Sequence, residues 1–203
     1  MPKIKLTKTE LKTQQDALKQ FTRFLPTLQL KKQQLQLEMR LSSARLKENE
    51  DVQEKTRLRL NAWLALFGDE QTVELLPELL SLKSIASDVS NIAGVNVPIF
   101  IKANFTLADY NLFKLDSWID DAVEMLKELI SLQEAHKILE EQHRLLSKEL
   151  RTTTQRVNLF EKVKIPECRE NIRCIRIYLG DLDTAGVARS KIAKRKSQEA
   201  QQL

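Results

Sequence analysis

Glycine and aromatic residues are scarce in this 203-residue chain, which has four glycines (Gly68, Gly94, Gly180, Gly186) and an aromatic content of 5%. So few turn-formers and β-formers exclude a sandwich, a barrel or a doubly wound α/β domain. No run of 18 apolar residues occurs, and Met1-Pro2-Lys3-Ile4-Lys5-Leu6 lacks the apolar stretch of a secretory signal. The expectation is a soluble, unexported, cytoplasmic chain that meets a membrane only indirectly. Cys168 and Cys174 are the only cysteines. Six residues apart on different faces of a helical-looking stretch, they match neither a local disulfide nor a zinc spacing and read as ordinary reduced side chains.

Chemistry-bearing motifs are missing too. There is no Gly-x-x-x-x-Gly-Lys-Ser/Thr loop, no Gly-x-Gly-x-x-Gly, no His-Glu-x-x-His and no Ser/His/Asp or Cys/His set. His136 and His143 are the only histidines and stand seven apart, not at the i, i+4 spacing of a two-histidine helical metal site. Asp120-Asp121 and Glu140-Glu141 read as solvated helix faces. The expectation is a chain with no catalytic residues, no metal and no cofactor.

What the chain does have is leucine and the other helix formers. Ala, Glu, Lys, Leu and Arg supply 98 of the 203 residues, about the share of coiled coils. Alternate steps of three and four from Leu11 to Phe67 pass through seventeen positions without a register break, and eleven are apolar: Leu11, Leu18, Phe21, Leu25, Leu28, Leu35, Met39, Leu46, Leu60, Trp63 and Phe67. This is the apolar seam of a coiled coil. Thr7-Lys8-Thr9-Glu10 predicts a reciprocal capping box at its start, and Gly68-Asp69 predicts its stop. A helix of that length spans about 85 Å at 1.5 Å per residue. Pro26 falls inside it and predicts a kink or one lost backbone hydrogen bond.

A second seam runs from Leu115 to Phe160, with eleven of fourteen positions apolar. Pro166 disturbs it, and Ile172, Ile175, Leu179 and Leu182 resume it toward Gly186. Two such helices in one chain bury their seams against each other as an antiparallel hairpin that supercoils left-handedly. Between them, Gln71 to Leu82 reads as a short helix near Pro77. Ser84–Val89 and Val95–Ile101 read as a small β-hairpin turning around Asn91 to Gly94, its second strand an edge because of Pro98. The fold class is therefore mainly α: a long antiparallel two-helix coiled-coil hairpin with a small head. Its segments are a first shaft helix (1–67), the head at one tip (68–114), a second shaft helix (115–186) and a basic tail (187–203). Beside the head, Ile119, Val123, Leu126 and Ile130 form a second apolar stripe that the head or a partner must cover.

Charge is concentrated at the ends. Residues 1–12 carry +3 and residues 187–203 carry +4 within a total of +5, which leaves the body at −2. The antiparallel arrangement brings both basic ends to one tip. Polar residues interrupt the seams at Ser42, Asn49, Gln53 and Thr56 on one side and at His136 and His143 on the other. Pairs whose numbers sum to roughly 182–185 place His136 near Leu46–Asn49 and His143 near Met39–Ser42. Ser42, Asn49, His136 and His143 are thereby expected to set the register.

Three stretches carry a resemblance: Leu28-Gln29-Leu30-Lys31-Lys32-Gln33-Gln34-Leu35, Asn91-Ile92-Ala93-Gly94-Val95-Asn96-Val97-Pro98, and Arg156-Val157-Asn158-Leu159-Phe160-Glu161 with Ile165-Pro166. Together with the basic close Arg189-Ser190-Lys191-Ile192-Ala193-Lys194, they resemble the D subunit of the V-type (A/V-type) rotary ATPases and ATP synthases over essentially the whole chain. Leu159-Phe160 and the segment from Asp181 to Gly186 depart from the family's usual residues. The resemblance implies a central-stalk rotor, non-catalytic itself, that couples rotation inside a hexamer of A and B subunits to proton or sodium translocation. It further implies an F subunit on the flank and a C subunit toward the membrane rotor. Lys31, Lys32, Arg156, Asn158, Arg189, Lys191, Lys194 and Arg195 are then the candidate contacts with the hexamer. The competing reading is a coiled-coil scaffold or secretion-stalk adaptor, which shares the heptads but need not share the head. A nucleic-acid binder is disfavoured because the basic tail has no aromatics for stacking.

Overall fold

A computed structural model describes residues 4–67, 80–108 and 119–200, with residues 63–67, 199 and 200 described by their backbone alone. The element order is helix α1 (Lys8–Phe67), strands β1 (Leu80–Ile92) and β2 (Val95–Leu107), helix α2 (Ile119–Asn158), a π-helical turn (Leu159–Lys164) and helix α3 (Ile165–Ala200). The protein is mainly helical, with long helices packed together and a two-stranded antiparallel hairpin. The chain divides into two compact units, Met1–Lys31 with Thr153–Leu203, and Lys32–Thr152.

Helix α1 starts as its sequence dictates, though only half of the capping box forms. The Glu10 backbone N–H donates to Thr7 Oγ1 at 3.2 Å, but the Glu10 carboxylate turns inward along the helix and accepts from the Gln14 amide at 2.8 Å. The Thr7 N–H instead donates to the Lys5 carbonyl at 3.0 Å. Pro26 does not end α1. It sits on the exposed face, where the carbonyl that loses its donor can be reached by water. Every described seam position from Leu11 to Leu60 is buried or half-buried, as is every one from Ala122 to Phe160. The side chains of Trp63 and Phe67, the helix stop at Gly68-Asp69, and Leu115 and Trp118 lie outside the described residues. So does most of the short helix expected over Gln71–Leu82, whose last three residues are strand.

In the unit Lys32–Thr152, the helices run antiparallel. Gln53 of α1 donates from its amide to the Leu132 carbonyl of α2 at 3.1 Å, while Leu35 and Leu146 share a cluster further along. The hairpin is longer than its sequence pattern predicts, and bulges explain why. Lys83 in β1 and Ile101 in β2 have no cross-strand partner, so the alternation of inward and outward side chains slips twice and hides the strand ends from a period-two reading. Its turn is Ala93-Gly94, with φ of 51° and 80°, the two positive values of a type I′ turn. Asn91 fastens the turn, accepting from the Gly94 N–H at 3.0 Å and donating to Asn96 Oδ1 at 2.8 Å. The hairpin lies along the helix pair: Val97 is fully buried with Leu35 and Leu146, and Ile92, Ala93 and Val95 pack around them. Each such buried aliphatic side chain contributes about 1.5–3 kcal/mol. Ile119 and Val123 of the second stripe are buried, and Leu126 and Ile130 are half-buried.

In the unit containing both ends of the chain, Asn171 donates to Gln14 at 3.4 Å and the Phe21 and Phe160 rings stack tilted at 5.0 Å, again an antiparallel pairing. The disturbance expected at Pro166 takes the form of the π-helical turn. Its closing bond runs from the Ile165 N–H to the Phe160 carbonyl, five residues back, which absorbs one extra residue just before a proline that has no N–H to give. The seam therefore resumes one residue late, through Ile165, Cys168, Ile172 and Ile175, all buried. Beyond Leu179 nearly every described side chain is exposed, including Leu182, which the sequence pattern places on the seam.

Candidate functional site

The described helices offer long faces and buried seams. Among the described residues, no group of three or more His, Cys, Asp or Glu is placed to hold a metal. No described helix is long and apolar enough to cross a membrane.

The polar residues of the seam divide into two kinds. Gln53 joins the helices through the Leu132 carbonyl and is itself steadied by Asn49, whose Oδ1 accepts from the same amide at 2.6 Å. Asn49, expected to set the register, touches this contact only through Gln53. Ser42 is the opposite case: its hydroxyl is buried without a hydrogen-bond partner, and so are Nδ1 of His136 and Nδ1 of His143. Since Gln53 meets Leu132, eleven residues back on α1 and eleven forward on α2 set Ser42 level with His143. The expected polar pair is thus brought to one level of the seam without forming a hydrogen bond. His136 Nε2 faces two exposed carboxylates, Glu140 at 3.6 Å and Glu50 at 3.9 Å.

Arg189, Lys191, Lys194 and Arg195 are exposed along α3, with Lys191 and Lys194 beside Leu182, Gly186, Val187 and Ser190 on one face. Arg156 and Asn158 are exposed at the end of α2, where Asn158 makes no side-chain cap. Lys31 and Lys32 are half-buried on α1. Two exposed arginines are paired locally, Arg144 with Glu141 and Arg173 with Glu170, each through two hydrogen bonds of 2.6–2.9 Å. Hydrogen bonding to arginine holds both carboxyls below the usual glutamate range. Burial pushes the Cys168 thiol up, and the Glu167 carboxylate adds to the effect.

One connecting residue escapes a reading of the sequence. Gln53 stands at a seam position and so carries a signal, but Gln142 lies off the seam. Its amide donates to the Pro98 carbonyl, linking α2 to the hairpin, and nothing in its spacing marks it.

Comparison with known proteins identifies the family. Residues 10–195 match the family model for the ATP synthase D subunit. The V-type ATP synthase D subunit of Borreliella burgdorferi is 44% identical over 194 residues, covering 96% of this chain and 95% of that protein. That of Chlamydia muridarum is 35% identical over 196 residues, covering 97% of each, and that of Chlamydia pneumoniae is 32% identical over 193 residues, covering 95% and 92%. With a full-length match on chains of the same name, and helical pairs whose seams run most of the length that match covers, this chain belongs to the V-type ATP synthase D subunit family.

Proposed function

We propose that this chain is the central-stalk rotor of a V-type ATP synthase or ion-translocating ATPase. In this reading it is non-catalytic: it turns inside the hexamer of A and B subunits and couples that rotation to proton or sodium movement through the membrane rotor. The F subunit binds its flank and the C subunit joins it toward the membrane, so the chain works on the cytoplasmic side and is peripheral to the membrane through its complex. The observation that carries the reading is the near-complete match to D-subunit chains over residues 10–195. The physical logic agrees. Long paired helices with a buried seam transmit rotation along their axis, and a surface that differs around such an axis can bias neighbouring subunits to different conformations in turn.

Lys31, Lys32, Arg156, Asn158, Arg189, Lys191, Lys194 and Arg195 remain the proposed contacts with the hexamer, and the tail 187–203 a steering and bearing element within it. The test is reconstitution with the A and B subunits. The full-length chain should enter the complex and support ATP-driven rotation, and a chain lacking residues 187–203 should stay helical but assemble or couple poorly. Undiminished rotation with the truncated chain would remove the bearing role of the tail. Absence of the full-length chain from the complex would remove the rotor reading and favour a scaffold.

A further inference from the structure

A groove of 540 Å³ lies between α1 and α3 in the unit that holds both chain ends. Gln15, Leu18 and Lys19 line it from α1, and Arg169, Ile172 and Arg176 line it from α3. Each triplet occupies one helix face, at i, i+3, i+4 and at i, i+3, i+7. The floor is apolar, with Ile172 buried and Leu18 half-buried, and the rim is cationic, with Lys19, Arg169 and Arg176 exposed. No acidic residue lines it.

Two cations near this rim are neutralised locally. Lys164 and Arg173 on the same stretch of chain each hold a carboxylate three residues away, Glu167 at 3.0 Å and Glu170 at 2.6 Å. Glu10 is taken by Gln14. Lys19, Arg169 and Arg176 have no ion-pair partner among the described residues, so three unneutralised charges converge on one apolar strip.

We propose that this groove docks an acidic amphipathic segment of a neighbouring protein subunit. The proposal deepens the rotor reading and rests on it. The chemistry favours this occupant over the others. The Leu18–Ile172 floor takes aliphatic side chains, for which a free anion has no use. The two guanidinium forks and the ammonium take carboxylates in charge-assisted hydrogen bonds. A nucleic acid would want aromatic stacking platforms, and no aromatic residue lines the groove.

The experiment uses the full-length chain assembled with the other subunits of its complex. The variant Lys19→Glu/Arg169→Glu/Arg176→Glu is compared with wild type and with a control reversal at exposed positions of α1, Lys55→Glu/Arg57→Glu/Arg59→Glu. The groove variant should bind about 10- to 100-fold more weakly at low salt, with the gap narrowing as salt screens the charges. The control should change little. A neutral variant, Lys19→Gln/Arg169→Gln/Arg176→Gln, checked for helicity by circular dichroism, should fall between them and covers the case in which reversal disturbs folding. A photo-cross-linker at position 19 should capture a peptide rich in Asp and Glu beside apolar residues. Equal assembly of wild type and groove variants at every salt concentration overturns the groove while leaving the rotor reading in place, as does capture of a peptide without acidic residues. Wild type that fails to assemble overturns both. Binding of the groove to anionic vesicles or DNA in place of a protein partner overturns the proposed occupant.

Discussion

The side-chain amide of Gln142 donates to the backbone carbonyl of Pro98, so that one hydrogen bond ties the middle of α2 to the strand whose proline has a carbonyl but no N–H to offer. Gln142 is buried, with 6% of its surface exposed, so water cannot easily replace it. Gln142→Leu should leave that carbonyl unpaired at a cost of about 1–3 kcal/mol. In a chain of this size that lowers the thermal midpoint by about 2–4 °C per kcal/mol. Hydrogen exchange should show the loss first in amides of β1 and β2.

Leu35→Ala should be far more damaging. Leu35 is fully buried against Val97 and Leu146, where helices and hairpin meet, and a truncated leucine in such a position costs about 2–5 kcal/mol. Urea titration of the full-length variant measures the loss. A change below about 1 kcal/mol would mean that the hairpin does not pack there.

Ala93 holds a φ of 51° at the first position of its turn, a conformation that a β-carbon resists. Ala93→Asn, a residue that tolerates this region and favours type I′ turns, should stabilise the hairpin by up to about 1 kcal/mol. The thermal midpoint should rise and the Asn91–Gly94 hydrogen bond should persist. A fall would show that the methyl group packed against Leu35 and Leu146 matters more than the backbone.

Ser42 and His143 form a level of the seam at which a buried hydroxyl and a buried ring nitrogen go unpartnered. Replacing His136 and His143 by leucine should raise the thermal midpoint, since unsatisfied polar atoms are exchanged for apolar packing. It should also loosen the register, because an all-apolar seam can slip by a heptad. Cross-linking between cysteines placed on α1 and α2 reads the register. A single unchanged pattern would leave these histidines no register role.

The two thiols should separate cleanly. Cys174 is exposed, whereas Cys168 is buried and its thiol is held above its usual range by that burial, so its reactive thiolate is scarcer at any given pH. A chromogenic disulfide reagent at neutral pH should label one thiol per native chain quickly and the second only slowly or after denaturation. Cys174→Ser should abolish the fast phase. Raising the pH should accelerate the slow one.

The seams are legible because a heptad pattern repeats its message: each misplaced residue is outvoted by the others, and the described seam positions from Leu11 to Leu60 are all buried or half-buried. The antiparallel pairing follows from two such seams in one chain, and the summed residue numbers locate Gln53 opposite Leu132. Single events are less legible. Bulges at Lys83 and Ile101 break the alternation that defines strand ends. The hairpin's placement along the helices depends on Val97 finding a gap beside Leu35, a three-dimensional fact with no periodic trace. Half of the expected capping box is lost to Gln14, an equally good partner one turn on. The groove at Lys19, Arg169 and Arg176 leaves no local signal, because its two walls are far apart in the chain and meet only when the seams are paired.

The π-helical turn at Leu159–Lys164 also limits how this chain can be edited. Removing one residue there would give a more regular helix, short only of the bond that Pro166 cannot donate. It would also rotate everything that follows by about 100°. Ile165, Cys168, Ile172 and Ile175 would then swing away from α1, and a different face of α3 would replace them. Local regularity and long-range order are opposed at this point, and the extra residue is kept because thirty-six later ones depend on the angle it sets. Length changes at this turn should therefore be poorly tolerated, and a residue that looks dispensable to the helix is not free to go.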